Sequence, residues 1–142
     1  ENFISFLLRE SKPTGCIKAF EGKKAGDYLR LAHSCFGITP TYMPFLNGKG
    51  KEIVFSEFGK DGFYLFEAAV VTKLSGGGVI KQEVNPRPAL AMPWKLRFTL
   101  TLVKNPIIDE VKLQNWIENG GIMVGLGNYR PRFGQFVVSK WE

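Results

Sequence analysis

The chain has 142 residues, 44% of them hydrophobic, which suits one domain with a real core. Its net charge is +6, from 19 Lys and Arg against 13 Asp and Glu. That excess fits a polyanionic partner or a solubilising surface, and no block of basic residues forms a tail. No apolar run nears the ~18 residues of a membrane span. The first nine residues lack the basic start and long apolar stretch of a secretory signal. Cys16 and Cys35 form no CxxC pair and there is one histidine, so a structural zinc site is not expected. Both cysteines read as reduced thiols of a cytoplasmic protein (in the host cytoplasm if phage-encoded).

Asn2–Leu8 predicts a first strand, with Phe3, Ile4, Phe6, Leu7 and Leu8 apolar. Ser11–Gly15 is a turn around Pro13, and Cys16–Phe20 continues as a short strand or a loop. From Lys24 to Cys35 the residues Ala25, Tyr28, Leu29, Leu31, Ala32 and Cys35 recur at three- and four-residue spacing. That spacing predicts a helix, which Gly37 would stop. Ile38–Gly50, with Pro40, Pro44 and Asn47-Gly48, is mostly loop.

Glu52–Phe58 and Gly62–Thr72 predict two strands of a hairpin, joined by Gly59-Lys60-Asp61-Gly62. Gly76-Gly77-Gly78 is the tip of a longer hairpin or a mobile loop. Asn85–Pro93 carries three prolines and is barred from a central strand. Trp94–Val103 predicts the clearest strand: Trp94, Leu96, Phe98, Leu100 and Leu102 alternate with Lys95, Arg97, Thr99 and Thr101. A helix follows from Asn105-Pro106 to about Asn119, burying Ile108, Val111, Trp116 and Ile117, with Gly120 as its C-terminal cap. Gln135–Trp141 is the last strand. The order implies an α+β fold: a ferredoxin-like β-α-β-β-α-β antiparallel sheet with helices on one face, in a single domain spanning 1–142. A middle hairpin and a Gly/Pro-rich arm at about 74–93 elaborate it.

Five glycines fall in the fifteen residues from Gly120 to Gly134, with Tyr129, Arg130, Arg132 and Phe133 among the last of them. Such a cluster marks special backbone angles or a close approach. A dinucleotide fingerprint follows a strand and opens a helix, whereas here the helix comes first, and no Gly-Lys-Ser/Thr marks a P-loop. No cofactor is expected. Gly125, Gly127 and the neighbouring backbone N–H groups let a phosphodiester chain approach. Arg130 and Arg132 would neutralise phosphates or stack on bases, and Tyr129 and Phe133 would offer stacking platforms. Equally, the glycines let the chain cross tightly over the sheet while Tyr129, Phe133 and Phe136 fill the core.

The run Gly125-Leu126-Gly127-Asn128-Tyr129-Arg130-Pro131-Arg132-Phe133-Gly134-Gln135-Phe136 resembles the glycine-rich loop of the RAMP superfamily, CRISPR-associated RNA-binding proteins of ferredoxin-like fold. A GLGxxRPxxGxF ending is also similar to small phage and prokaryotic proteins. Pro131 departs from the small polar residue common there, and Gln135-Phe136 replaces a further Phe-Gly. The resemblance covers about the last 50 residues. It implies a nucleic-acid-binding module and, in some relatives, a histidine ribonuclease.

The only histidine, His33, lies on the first predicted helix near Lys24 and Tyr28 and is the weak candidate for a general acid or base. Cys35 shares its segment, but residues i and i+2 on a helix point apart, so no Cys–His nucleophile is expected. Lys95, Arg97, Thr99 and Thr101 would line a basic sheet face able to track a backbone. Arg87, Lys73 and Lys81 would form a basic flap, or an arm reaching a neighbouring subunit. The expected function is therefore non-catalytic binding of single-stranded RNA or DNA. A phage-type structural, assembly or inhibitory protein that could form a homo-oligomer is the alternative, and an RNA endonuclease the further one. No membrane partner and no metal are expected.

Overall fold

A computed structural model describes residues 2–11, 13–56, 58–72, 81–127 and 129–142. The chain is α+β, with four α-helices and three small two-stranded ladders among the described residues. Its backbone divides into two compact units, Glu1–Thr39 with Leu100–Glu142, and Pro40–Thr99.

The first unit is built on helices. Asn2–Leu8 forms α1, not a strand. Its apolar run fits either element, and tertiary packing decides: Phe3, Phe6 and Leu7 are buried at i, i+3 and i+4 while Ile4 faces outward. Cys16–Glu21 is likewise helical, α2, burying Cys16 and Ile17 where a strand or loop was expected. A 3₁₀ turn, Gly22–Lys24, leads to α3, Ala25–Cys35, which matches the predicted helix and buries Ala25, Leu29, Ala32 and Cys35. The helix ends at Cys35, as the spacing predicts, and Phe36–Thr39 turns extended as β1. β1 pairs with β6, Thr99–Leu102, with Val103 N–H donating to the Cys35 carbonyl at 2.9 Å.

The last helix, α4, spans Glu110–Met123. The Asp109 side chain caps it by accepting from Lys112 N at 2.7 Å. Asn105 instead folds the approach, its side-chain oxygen accepting from Ile107 N and Ile108 N. Leu113, Trp116, Ile117, Gly120 and Gly121 are buried, whereas Val111, expected inside, is 67% exposed. Gly120 lies inside the helix and does not cap it. The expected last strand, Gln135–Trp141, joins no ladder among the described residues. It doubles back along α4, with Phe136 N–H donating to Gly121 O at 2.9 Å and the Trp141 indole to Glu110 at 3.3 Å.

In the second unit β2, Leu46–Asn47, pairs antiparallel with β5, Trp94–Lys95. β3, Phe63–Thr72, pairs antiparallel with β4, Lys81–Leu90. The hairpin partner of β3 is thus β4 and not Glu52–Phe58, of which Glu52 contributes one bridge to Leu46. The Gly59–Gly62 turn folds onto the start of β3: Gly59 N–H donates to Phe63 O at 2.6 Å, and Phe63 N–H to Lys60 O at 2.9 Å. The triple glycine and Lys73 lie outside the described residues. Ile53 and Phe63 are buried, and the rings of Phe45, Phe55, Phe58, Phe63 and Trp94 pack at 4.7–6.0 Å. The predicted strand Trp94–Val103 breaks at Leu96–Phe98, yet half-burial still alternates from Trp94 to Leu102.

Candidate nucleic-acid interface

The glycines of the C-terminal loop have distinct duties. Val124 N–H and Gly125 N–H both donate to Gly120 O, at 2.7 and 2.9 Å, and Gly125 has φ +73°. Gly125 is therefore the left-handed residue that ends α4. Leu126 N–H donates to Gly134 O at 2.8 Å and closes the loop at its neck. Gly134, φ +79°, sits so tightly against Leu126 that a Cβ there would meet the Leu126 carbonyl. Gly127, φ +88°, has open space around it. Asn128 lies outside the described residues.

Inside this loop the two arginines separate. Arg132 is exposed, its guanidinium 5.5 Å from the centroid of the Phe133 ring. Phe133 is 42% exposed and meets Tyr129 edge-on at 6.4 Å. Tyr129 is half-buried. Arg130 turns inward and is 7% exposed. Its Nη2 donates to Pro13 O at 2.8 Å and to Ser5 O at 3.3 Å. Its Nε is buried with no partner among the described residues. Burial holds its pKa below the usual arginine value, the charge of Arg9 adds to that, and Cys16 opposes it. Buried, with Nη2 held by two main-chain carbonyls, Arg130 anchors the loop from beneath and does not present its guanidinium at the surface. Phe136 is half-buried against Phe6, ring centroids 5.2 Å apart, so it belongs to the core.

Lys95 and Arg97 belong to the second unit and are exposed. Lys95 sits on β5, its Nζ 3.4 Å from Gly48 O, and Arg97 lies in the stretch between β5 and β6. Arg87, on β4 opposite Phe66, is half-buried. His33 is exposed near the end of α3. Lys24 and Tyr28 line a groove of about 400 Å³ with Asp27, Arg30, Leu31 and Ile107, but His33 does not reach it. Five positions on a helix place Tyr28 and His33 on different faces. The Ser34 hydroxyl donates to Leu31 O at 3.0 Å.

No motif or spacing in the sequence points to a polar cluster between α2 and α4, yet the structure forms one. The Trp116 indole donates to Glu21 Oε1 at 2.9 Å, Lys112 Nζ lies 3.7 Å from the same oxygen, and Tyr28 meets Trp116 edge-on at 5.5 Å. Lys112 lies over both rings, at 5.0 and 5.8 Å. This cluster ties the helices through satisfied groups. Cys16 and Cys35 are free and buried, and burial pushes the Cys16 thiol up to about 12. Among the described residues no group of three or more His, Cys, Asp and Glu could hold a metal ion, and no helix is long and apolar enough to cross a membrane. Comparison of the chain with protein-family models, curated proteins and solved structures finds no match.

Proposed function

We propose that this protein is a non-catalytic binder of single-stranded nucleic acid, using the loop from Gly125 to Gly134 as its contact. The observation that carries the reading is the exposed Arg132–Phe133 pair on a loop closed at its neck and anchored from below. A ring that is open to solvent stacks on any base, and a guanidinium beside it meets the adjoining phosphate. Gly127, free of neighbours, lets a strand pass close to the main chain. The net charge of +6 supports attraction to a polyanion. Lys95 and Arg97 supply further exposed positive charge in the second unit.

The likeness to RAMP-type loops belongs to the same proposal, as does a cytoplasmic setting where such strands occur. Its support is the order of α4, glycine loop and extended C-terminal segment. A ferredoxin-like arrangement is the finer part of the proposal, and the two-stranded ladders do not by themselves build it.

Gel shifts with single- and double-stranded RNA and DNA test the reading. Binding should favour single strands and fall steeply as salt rises, because phosphate contacts release counterions. Arg132→Ala with Phe133→Ala should weaken binding about 10-fold or more while the fold persists, given ~1–3 kcal/mol per stacked base. Unchanged affinity in that variant rules out the loop as the contact.

A further inference from the structure

We propose that the outer edge of β3 is a strand-addition site for β3 of a second copy, which would join two hairpins into one four-stranded sheet ordered β4-β3-β3-β4. Assembly through this edge does not depend on nucleic-acid binding.

The register fixes which main-chain groups face outward. In an antiparallel ladder, alternate residues turn their N–H and C=O toward the partner strand and away from it. Phe63 uses both groups on the Gly59–Lys60 turn, so it faces away from β4. Gly62 O accepts from Ala91 N, so the neighbouring position faces inward. Leu65, Glu67, Ala69 and Val71 share the parity of Phe63. They pair with Pro88, Pro86, Val84 and Gln82. Proline has no N–H, so it fits β4 only where that group points away from β3, and the two prolines confirm the parity.

The two edges of this hairpin therefore differ. The outer edge of β4 lacks two donors, at Pro86 and Pro88, and is blunted against further pairing. The outer edge of β3 keeps its donors and acceptors from Leu65 to Val71, and among the described residues no backbone group pairs with them. β3 reads FYLFEAAVVT, a long, strand-prone sequence with one charge. A ten-residue edge of that composition is a template for another strand.

A second copy is the occupant that this asymmetry fits. Pairing β3 with β3 consumes the open edges and leaves only proline-blunted β4 edges outside, so assembly stops at a closed two-fold dimer. A two-stranded ladder alone is marginal in water, and four strands are not. Leu65 and Val84, 43% and 64% exposed, offer apolar surface on the hairpin. A two-fold axis at Ala69 sets Glu67 opposite Val71 of the second copy and keeps the two Glu67 carboxylates from facing each other.

Sedimentation of nucleic-acid-free protein should give twice the 16.0 kDa chain mass at high concentration. Ala69→Pro removes one outward N–H that the β3–β4 ladder does not use. It should sediment as a monomer with its strand content retained by circular dichroism. In wild type, hydrogen exchange should show the amides of Leu65, Glu67, Ala69 and Val71 protected in the dimer and exchanging on dilution. This second readout stands even if the proline variant misfolds. A monomer at every concentration, including one that captures some other extended peptide, overturns the proposal. So does a dimer in which those four amides exchange freely.

Discussion

Arg130 and Ser5 stand 125 positions apart, and the Arg130 guanidinium donates to the Ser5 carbonyl at 3.3 Å. That carbonyl also accepts from Arg9 N at 3.2 Å, in the last turn of α1. The same guanidinium reaches Pro13 O at 2.8 Å, so one side chain from the C-terminal loop closes both the helix end and the turn after it. A cation at a helix C-terminus is also favoured by the backbone dipoles.

Removing that anchor should cost stability before it costs anything else. Arg130→Ala leaves two inward-facing carbonyls short of a donor, a loss of about 2–3 kcal/mol for charge-assisted bonds. Both bonds come from Nη2, so Arg130→Lys keeps the charge and enough donors but has a shorter reach, and it should recover only part of the loss. Urea unfolding of the two variants checks this. A wild-type midpoint for Arg130→Ala would show that the contacts carry no weight.

The Cys16 thiol gives a pH dependence with a definite sign. Its folded pKa, about 12, lies above the ordinary 9.0 because burial disfavours the thiolate. The unfolded chain therefore releases the proton first. The thiol's contribution to stability is fully present below pH 9 and is lost as pH climbs from 9 toward 12, at up to about 1.4 kcal/mol per pH unit. Urea midpoints between pH 8 and 11 should fall, and more shallowly in Cys16→Ala, whose lower starting stability reflects its cavity. A parallel fall in both proteins would exclude Cys16 as the titrating group.

What the sequence could reveal followed from what its patterns encode. The α3 periodicity and the alternation from Trp94 to Leu102 carry one buried face each, and both appear in the structure. Asn2–Leu8 is apolar at five of seven positions, so helix and strand periods fit it equally, and burial of Phe3, Phe6 and Leu7 decides for helix. The sequence marked Arg130 as functional because arginine among glycines and aromatics suits a polyanion. Its partners are main-chain carbonyls of Ser5 and Pro13, which every residue possesses and no motif announces. Arg132 and Phe133 lie exposed in the same loop, with the guanidinium 5.5 Å from the ring centroid.

The glycines allow a last prediction in which sign, not size, is the test. Gly26 lies in the first turns of α3 with nothing within 4 Å of an added Cβ. Gly26→Ala should stabilise the protein by about 0.5–1 kcal/mol, since the helix backbone loses less entropy on folding. Gly120 is also helical, and propensity alone predicts the same gain. There an added methyl would meet Cys16 Sγ, and Phe6 Cζ at 2.9 Å. Gly121 is equally crowded, with Phe136 O at 2.5 Å. Overpacking costs typically ~1–3 kcal/mol, which outweighs the propensity term. Gly120→Ala and Gly121→Ala should thus destabilise, and Gly121→Ala should in addition loosen the C-terminal segment, seen as faster hydrogen exchange at Phe136. Thermal unfolding of the three single variants separates the cases. A stabilised Gly120→Ala would mean that α2 and α4 can part freely at Cys16.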